Sequence, residues 1–126
     1  MAIKSLLVKT ADMLSVHNPV AHWWYQRVTA VALVPLSLWL VVFLNKALTA
    51  PYTDTVGWLA SPINSLAILA WSVAVIYHAA LGVQVVIEDY IATITVRQLL
   101  IRLTNTVFLV LGIAALAAII IIILAR

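Results

Sequence analysis

The sequence predicts an all-α integral membrane protein, a single membrane-anchor domain over residues 1–126 with three transmembrane helices and a cytoplasmic N-terminus. Three observations carry this. Of the residues, 66% are hydrophobic and only 9% charged, against about a quarter charged in an ordinary soluble domain. Three apolar stretches, at about 28–48, 65–87 and 104–125, each reach the roughly 20 helical residues that a bilayer core demands. Lys4, Lys9 and Arg27 precede the first stretch and Arg97 and Arg102 the third, whereas only Lys46 and Arg126 fall on the opposite side. The excess of basic residues puts the N-terminus in the cytoplasm and the C-terminus outside.

The formal charge of +3 does not point to nucleic acid, because the basic residues are scattered along helix ends and form no continuous face. There is no cysteine, which excludes disulfides, thiolate metal sites and iron–sulfur ligation by this chain.

In chain order, residues 1–21 interleave Ile3, Leu6, Leu7 and Leu14 with Lys4, Lys9 and Asp12, the pattern of a short helix on a membrane surface. The apolar run between the lysines is too short for a secretory signal, and a mitochondrial presequence would be richer in Arg and Ser; the segment is expected to belong to the mature protein. His22, Trp23, Trp24, Tyr25, Gln26 and Arg27 follow. The three aromatics suit an interfacial belt. Arg27 suits either anchoring there or pairing with an anionic group just below the cytoplasmic surface, and His22 could point at the same group.

The first spanning helix holds Thr29 and Pro35, and the proline is expected to bend it near Val31. Residues 49–62, with Pro51, Asp54, Gly57 and Pro62, predict a short exterior loop whose Tyr52 and Trp58 sit at the outer interface.

The second helix carries the chemistry. Trp71, Ala74, His78, Gly82, Val85 and Asp89 fall along one side of it. His78 and Asp89 differ by only about 20° around the axis and about 16 Å along it, which predicts a shallow groove from the imidazole to the helix end. Small residues on the stripe would also let another helix approach closely. An ionisable side chain within hydrocarbon is costly and implies a partner. Neutral imidazole ligates haem iron, and a glycine one turn away gives a macrocycle room. His78 is the one histidine inside a spanning stretch, so a haem with two histidine ligands requires another subunit. Below it, Tyr90 offers a phenol to a quinone carbonyl and Asp89 a carboxylate to orient a cation or water; for Glu88 the membrane boundary is explanation enough.

His78, Gly82 and the pair Asp89–Tyr90, together with Arg27, Val28, Thr29 and Ala30 at the mouth of the first helix, resemble the small hydrophobic membrane-anchor subunit of succinate dehydrogenase, the D subunit of respiratory complex II. The likeness runs from His22 to the end of the third helix and looks bacterial rather than mitochondrial. It implies an anchor of succinate:ubiquinone oxidoreductase in the bacterial cytoplasmic (inner) membrane, the C-terminus periplasmic. His78 would then be an axial ligand of haem b, the other coming from the larger cytochrome b anchor subunit. Tyr90 would hydrogen-bond ubiquinone, with Asp89 supporting that site, and Arg27 and His22 would meet the haem propionates. A flavoprotein subunit with FAD and an iron–sulfur subunit would complete the enzyme, and this chain would bind no succinate.

The third helix has no polar residue after Thr106. It predicts scaffold, with Gly112, Ala115 and Ala118 as a close packing face. Thr93, Thr95, Arg97 and Arg102 precede it, placed for the iron–sulfur subunit or for lipid headgroups. Three rival readings remain at this level: a fumarate reductase-type menaquinone anchor, a haem-free structural subunit, and a small multidrug-type transporter. The last would need an acid within the membrane, and all four acids lie outside the spanning cores.

Overall fold

In the computed structural model, residues 1–14 and 19–125 are described; Arg126, used in the charge argument, lies outside the described residues, as do the side chains of Asp12 and Leu14. The elements are α1 (Ala2–Leu14), α2 (Pro19–Thr49), α3 (Tyr52–Leu59), α4 (Pro62–Tyr90) and α5 (Ile94–Leu124). Helices α2, α4 and α5 have 31, 29 and 31 residues and are long and apolar enough to cross a membrane. At 1.5 Å per residue each is about 45 Å long, well beyond a hydrocarbon core of about 30 Å. The predicted apolar cores are therefore the middles of longer helices.

The extra length has local causes. Pro62 opens α4 in its first turn, where its missing N–H would have no helical partner. At the other end of α4 the chain turns within Ile91, Ala92 and Thr93, and Arg97 in the first turn of α5 closes that turn. Its Nε donates to the Ile91 carbonyl at 2.9 Å and an Nη to that of Ala92 at 3.4 Å. Thr95, Arg97 and Arg102 thus lie on α5 and not in a connecting loop.

Residues 49–62, predicted as a loop, contain α3. The helix forms because one face has something to bury: Thr55, Val56 and Leu59 are buried where α3 meets α2, α4 and α5. Buried Asn64 ties this corner together. Its Oδ1 accepts from Trp39 Nε1 at 2.9 Å, and its Nδ2 donates to the Trp58 carbonyl at 2.9 Å and to Ser61 Oγ at 2.8 Å. Trp39, Phe43 and Trp58 stack with centroids 5.8–6.2 Å apart, and Lys46 sits 5.9 Å from the Trp58 ring. Asn64→Ala would leave the half-buried Trp39 indole N–H without its acceptor, at a cost of about 1 kcal/mol. A thermal melt in mild detergent should show the variant unfolding several degrees lower.

Helix α4 packs against both α2 and α5, whose backbones, among the described residues, do not come close to each other. Gly112 of α5 faces α4, where a Cβ would meet the Ile76 side chain at 3.7 Å; Ala118, predicted on the same packing face, is exposed. Little is enclosed: no residue of α5 is buried, and Ile113 and Val110 remain 61% and 59% exposed. Such apolar flanks suit lipid or neighbouring membrane helices and not water.

Candidate functional site

Helices α2 and α4 run antiparallel, and the predicted stripe on α4 faces α2. Trp71 Nε1 donates to Ser37 Oγ at 3.3 Å. His78 Nδ1 lies 2.9 Å from Thr29 Oγ1. An added Cβ at Gly82 would stand 3.7 Å from Gln26 Nε2. Gln26 therefore stands in the groove predicted beside the glycine, and the space next to His78 is one that two helices of this chain build together.

Thr29 is tied back to its own helix as well, with its Oγ1 2.7 Å from the Tyr25 carbonyl and 3.1 Å from that of Gln26. His22, Gln26 and Thr29 are spaced by four and three residues, so they line one side of α2. On that side two buried polar atoms, His22 Nε2 and Gln26 Oε1, have no hydrogen-bond partner. Buried polar atoms are otherwise nearly always paired, so this seam has unspent capacity for a donor and an acceptor.

Arg27 is placed differently. Five residues from His22, it is turned about 140° away around α2. It is exposed, with its guanidinium carbon 5.4 Å from the Trp23 ring centroid. Trp23 and Trp24, both more than half exposed and packed edge to face at 5.2 Å, have the character of the predicted interfacial belt. The structure does not bring Arg27 and His22 together on one face.

Asp89 and Tyr90 close α4 at the end of the bundle where α2 begins. Both are exposed, Tyr90 by 82%. Glu88 is occupied locally, accepting from Gln84 Nε2 at 2.9 Å. Among the described residues no group of three or more His, Cys, Asp or Glu side chains is gathered for a metal ion; the imidazoles within the long apolar helices are His22 on α2 and His78 on α4.

Gln26 was given no role in the sequence, and neither was the other side of α4. There α4 and α5 line an open pocket of about 370 Å³, almost wholly apolar, whose polar side chains are Ser72, Tyr77, Gln84 and Asn105. Polar side chains inside apolar helices were the available signal for both. Their significance depends on which helix they face, which the sequence does not state.

Residues 5–124 match the family described as Succinate dehydrogenase/Fumarate reductase transmembrane subunit. Among curated proteins, the chain is 39% identical over 95 residues to the succinate dehydrogenase hydrophobic membrane anchor subunit of Rickettsia bellii, covering 75% of this chain and 76% of that one. It is 32% identical over 112 residues to the subunit of the same name from Rickettsia typhi, covering 89% of each. The succinate dehydrogenase membrane anchor subunit of Reclinomonas americana is 36% identical over 73 residues, 56% of this chain and 61% of that one. No solved structure matches. The chain, with its three membrane-crossing helices, belongs to the succinate dehydrogenase/fumarate reductase transmembrane subunit family and is similar within it to the hydrophobic membrane anchors of succinate dehydrogenase.

Proposed function

We propose that this chain anchors a succinate dehydrogenase in the membrane, supplies His78 as one axial ligand of a haem b, and contributes Tyr90 and Asp89 to the site where ubiquinone is reduced. The observation that carries the haem part is the placing of His78: an imidazole in the interior of a spanning helix, held through one ring nitrogen by Thr29. The surroundings fit such a group. Gly82, one turn away, has the Gln26 amide beside it, and His22 Nε2 is unpartnered on the facing helix. A propionate accepts hydrogen bonds only, which suits a protonated His22 Nε2. Arg27 would reach a propionate only by leaving Trp23. The second axial histidine would come from the larger cytochrome b anchor.

When bound, haem b supplies a one-electron redox centre. The chain's own residues supply the rest. His78 would hold the iron through Nε2, and Tyr90 donates its phenol O–H to a quinone carbonyl and so fixes the ring. Asp89, beside it, holds water or a cation where the reduced quinone takes up its two protons. Succinate oxidation with FAD, and electron transfer through iron–sulfur clusters, belong to the flavoprotein and iron–sulfur subunits. With the basic residues of α1 and of the start of α5 facing the cytoplasm of a bacterium, the quinone end of this chain meets the iron–sulfur subunit there. A transporter would need a membrane-embedded acid, and none of the described acids lies in the middle of a spanning helix.

The test is a reduced-minus-oxidised visible spectrum of the mildly solubilised complex purified through this chain. A b-type haem band, co-purifying with flavin and iron–sulfur absorbance, is expected. Flavin and iron–sulfur signals without the haem band would leave the anchor role standing and remove the haem assignment.

A further inference from the structure

We propose that Thr29 is the positioning residue of His78, selecting the ring tautomer that leaves Nε2 free to bind iron; the inference rests on the haem reading above and deepens it. The argument begins with counting protons. The Thr29 hydroxyl has one hydrogen and three oxygen or nitrogen neighbours: the Tyr25 carbonyl at 2.7 Å, the Gln26 carbonyl at 3.1 Å and His78 Nδ1 at 2.9 Å. Carbonyl oxygens only accept. The shortest contact, to the carbonyl one helical turn back, takes the hydroxyl hydrogen in the manner usual for threonine within a helix. The hydroxyl oxygen can then only accept from the imidazole, so the proton of neutral His78 sits on Nδ1. Nε2 keeps its lone pair.

The reverse arrangement, with the hydroxyl donating to a bare Nδ1, would forgo the 2.7 Å contact and put the proton on Nε2, blocking it for a metal. A ligating histidine whose second nitrogen donates to a fixed acceptor also has its ring plane set and its basicity raised. Here the acceptor lies on α2 and the ligand on α4, so the hydrogen bond holds the ligand's aim to the packing of the two helices. Thr29 does not touch the iron, and its effect is transmitted through the imidazole.

Two variants separate the hydroxyl from the shape. Thr29→Val keeps the branched volume and removes the acceptor; Thr29→Ser keeps the acceptor. In the assembled complex, potentiometric titration of the b haem should show the Val variant shifted to higher potential. Without the acceptor the imidazole is a weaker donor to ferric iron, and a roughly tenfold change in the ferric-to-ferrous ratio corresponds to about 59 mV for one electron. The Ser variant should titrate with the wild type. Loss of haem in Val but not in Ser would support the same assignment. A Val variant with unchanged potential, or equal loss of haem in both variants, would overturn it. If the wild-type complex carries no b haem, the haem reading fails by itself. The tautomer is then read from ¹⁵N shifts of histidine-labelled complex, where a proton on Nε2 of His78 would refute the role of Thr29 as well.

Discussion

His78→Ala is expected to lower the b-type haem content of the purified complex by more than about tenfold, since a ligand contributes more than the outer-shell partners whose loss already costs tenfold or more. The chain itself should persist in the membrane. Its helices are held by contacts that the substitution does not touch: Trp71 to Ser37, the Asn64 corner, and Ile76 against Gly112. Nor does the change strand Thr29, whose hydroxyl still has the Tyr25 carbonyl at 2.7 Å. The readout is the reduced-minus-oxidised spectrum, normalised to flavin. Added imidazole should restore part of the band by entering the space the side chain vacates. Full haem content in the variant would show that the iron is held elsewhere and would reduce His78 to a half-buried histidine paired with a threonine.

That pairing illustrates what the sequence can and cannot state. Periodicity alone puts Trp71, His78 and Gly82 on one side of a helix, because the 100° step is a property of any α-helix. The structure keeps all three against α2. What they meet is set by the register between two helices, and no local pattern encodes it. Thr29 therefore reads as part of a short motif, and Gln26 as nothing in particular, until α2 and α4 are docked.

The α3 segment is opaque for a different reason. Pro51 and Gly57 are turn signals taken singly, and a helix of eight residues has little stability of its own. It exists because Val56 and Leu59 find a surface to cover. The ends of the long helices are underread because hydropathy measures hydrocarbon, and a helix does not stop where hydrocarbon does. Asp89 and Tyr90 show this well. Predicted at the edge of a span, they are the last turn of α4 itself, so their bearing relative to His78 is set by a continuous helix.

Tyr90→Phe, accordingly, should leave haem and assembly intact and lower ubiquinone reduction about tenfold, the cost of one hydrogen bond to the reacting carbonyl. Phenylalanine preserves the ring and removes only the O–H. Among the described residues that phenol has no hydrogen-bond partner, and it is 82% exposed, so nothing in the fold depends on it. The exposure also has a functional sense. A hydroxyl left open at the end of a spanning helix, one residue after an exposed carboxylate, is available to a ligand entering from the bilayer edge or from a neighbouring subunit. The assay pairs two acceptors. Succinate oxidation measured with a water-soluble dye that bypasses the membrane subunits should match the wild type, while turnover with ubiquinone falls and the haem spectrum does not change. A rise in KM without loss of kcat would mean that Tyr90 binds the quinone ring equally before and during reduction, and a fall in both kcat and kcat/KM that its hydrogen bond tightens as charge builds on the carbonyl. Undiminished ubiquinone turnover would remove Tyr90 from the site and leave Asp89 to be tested alone.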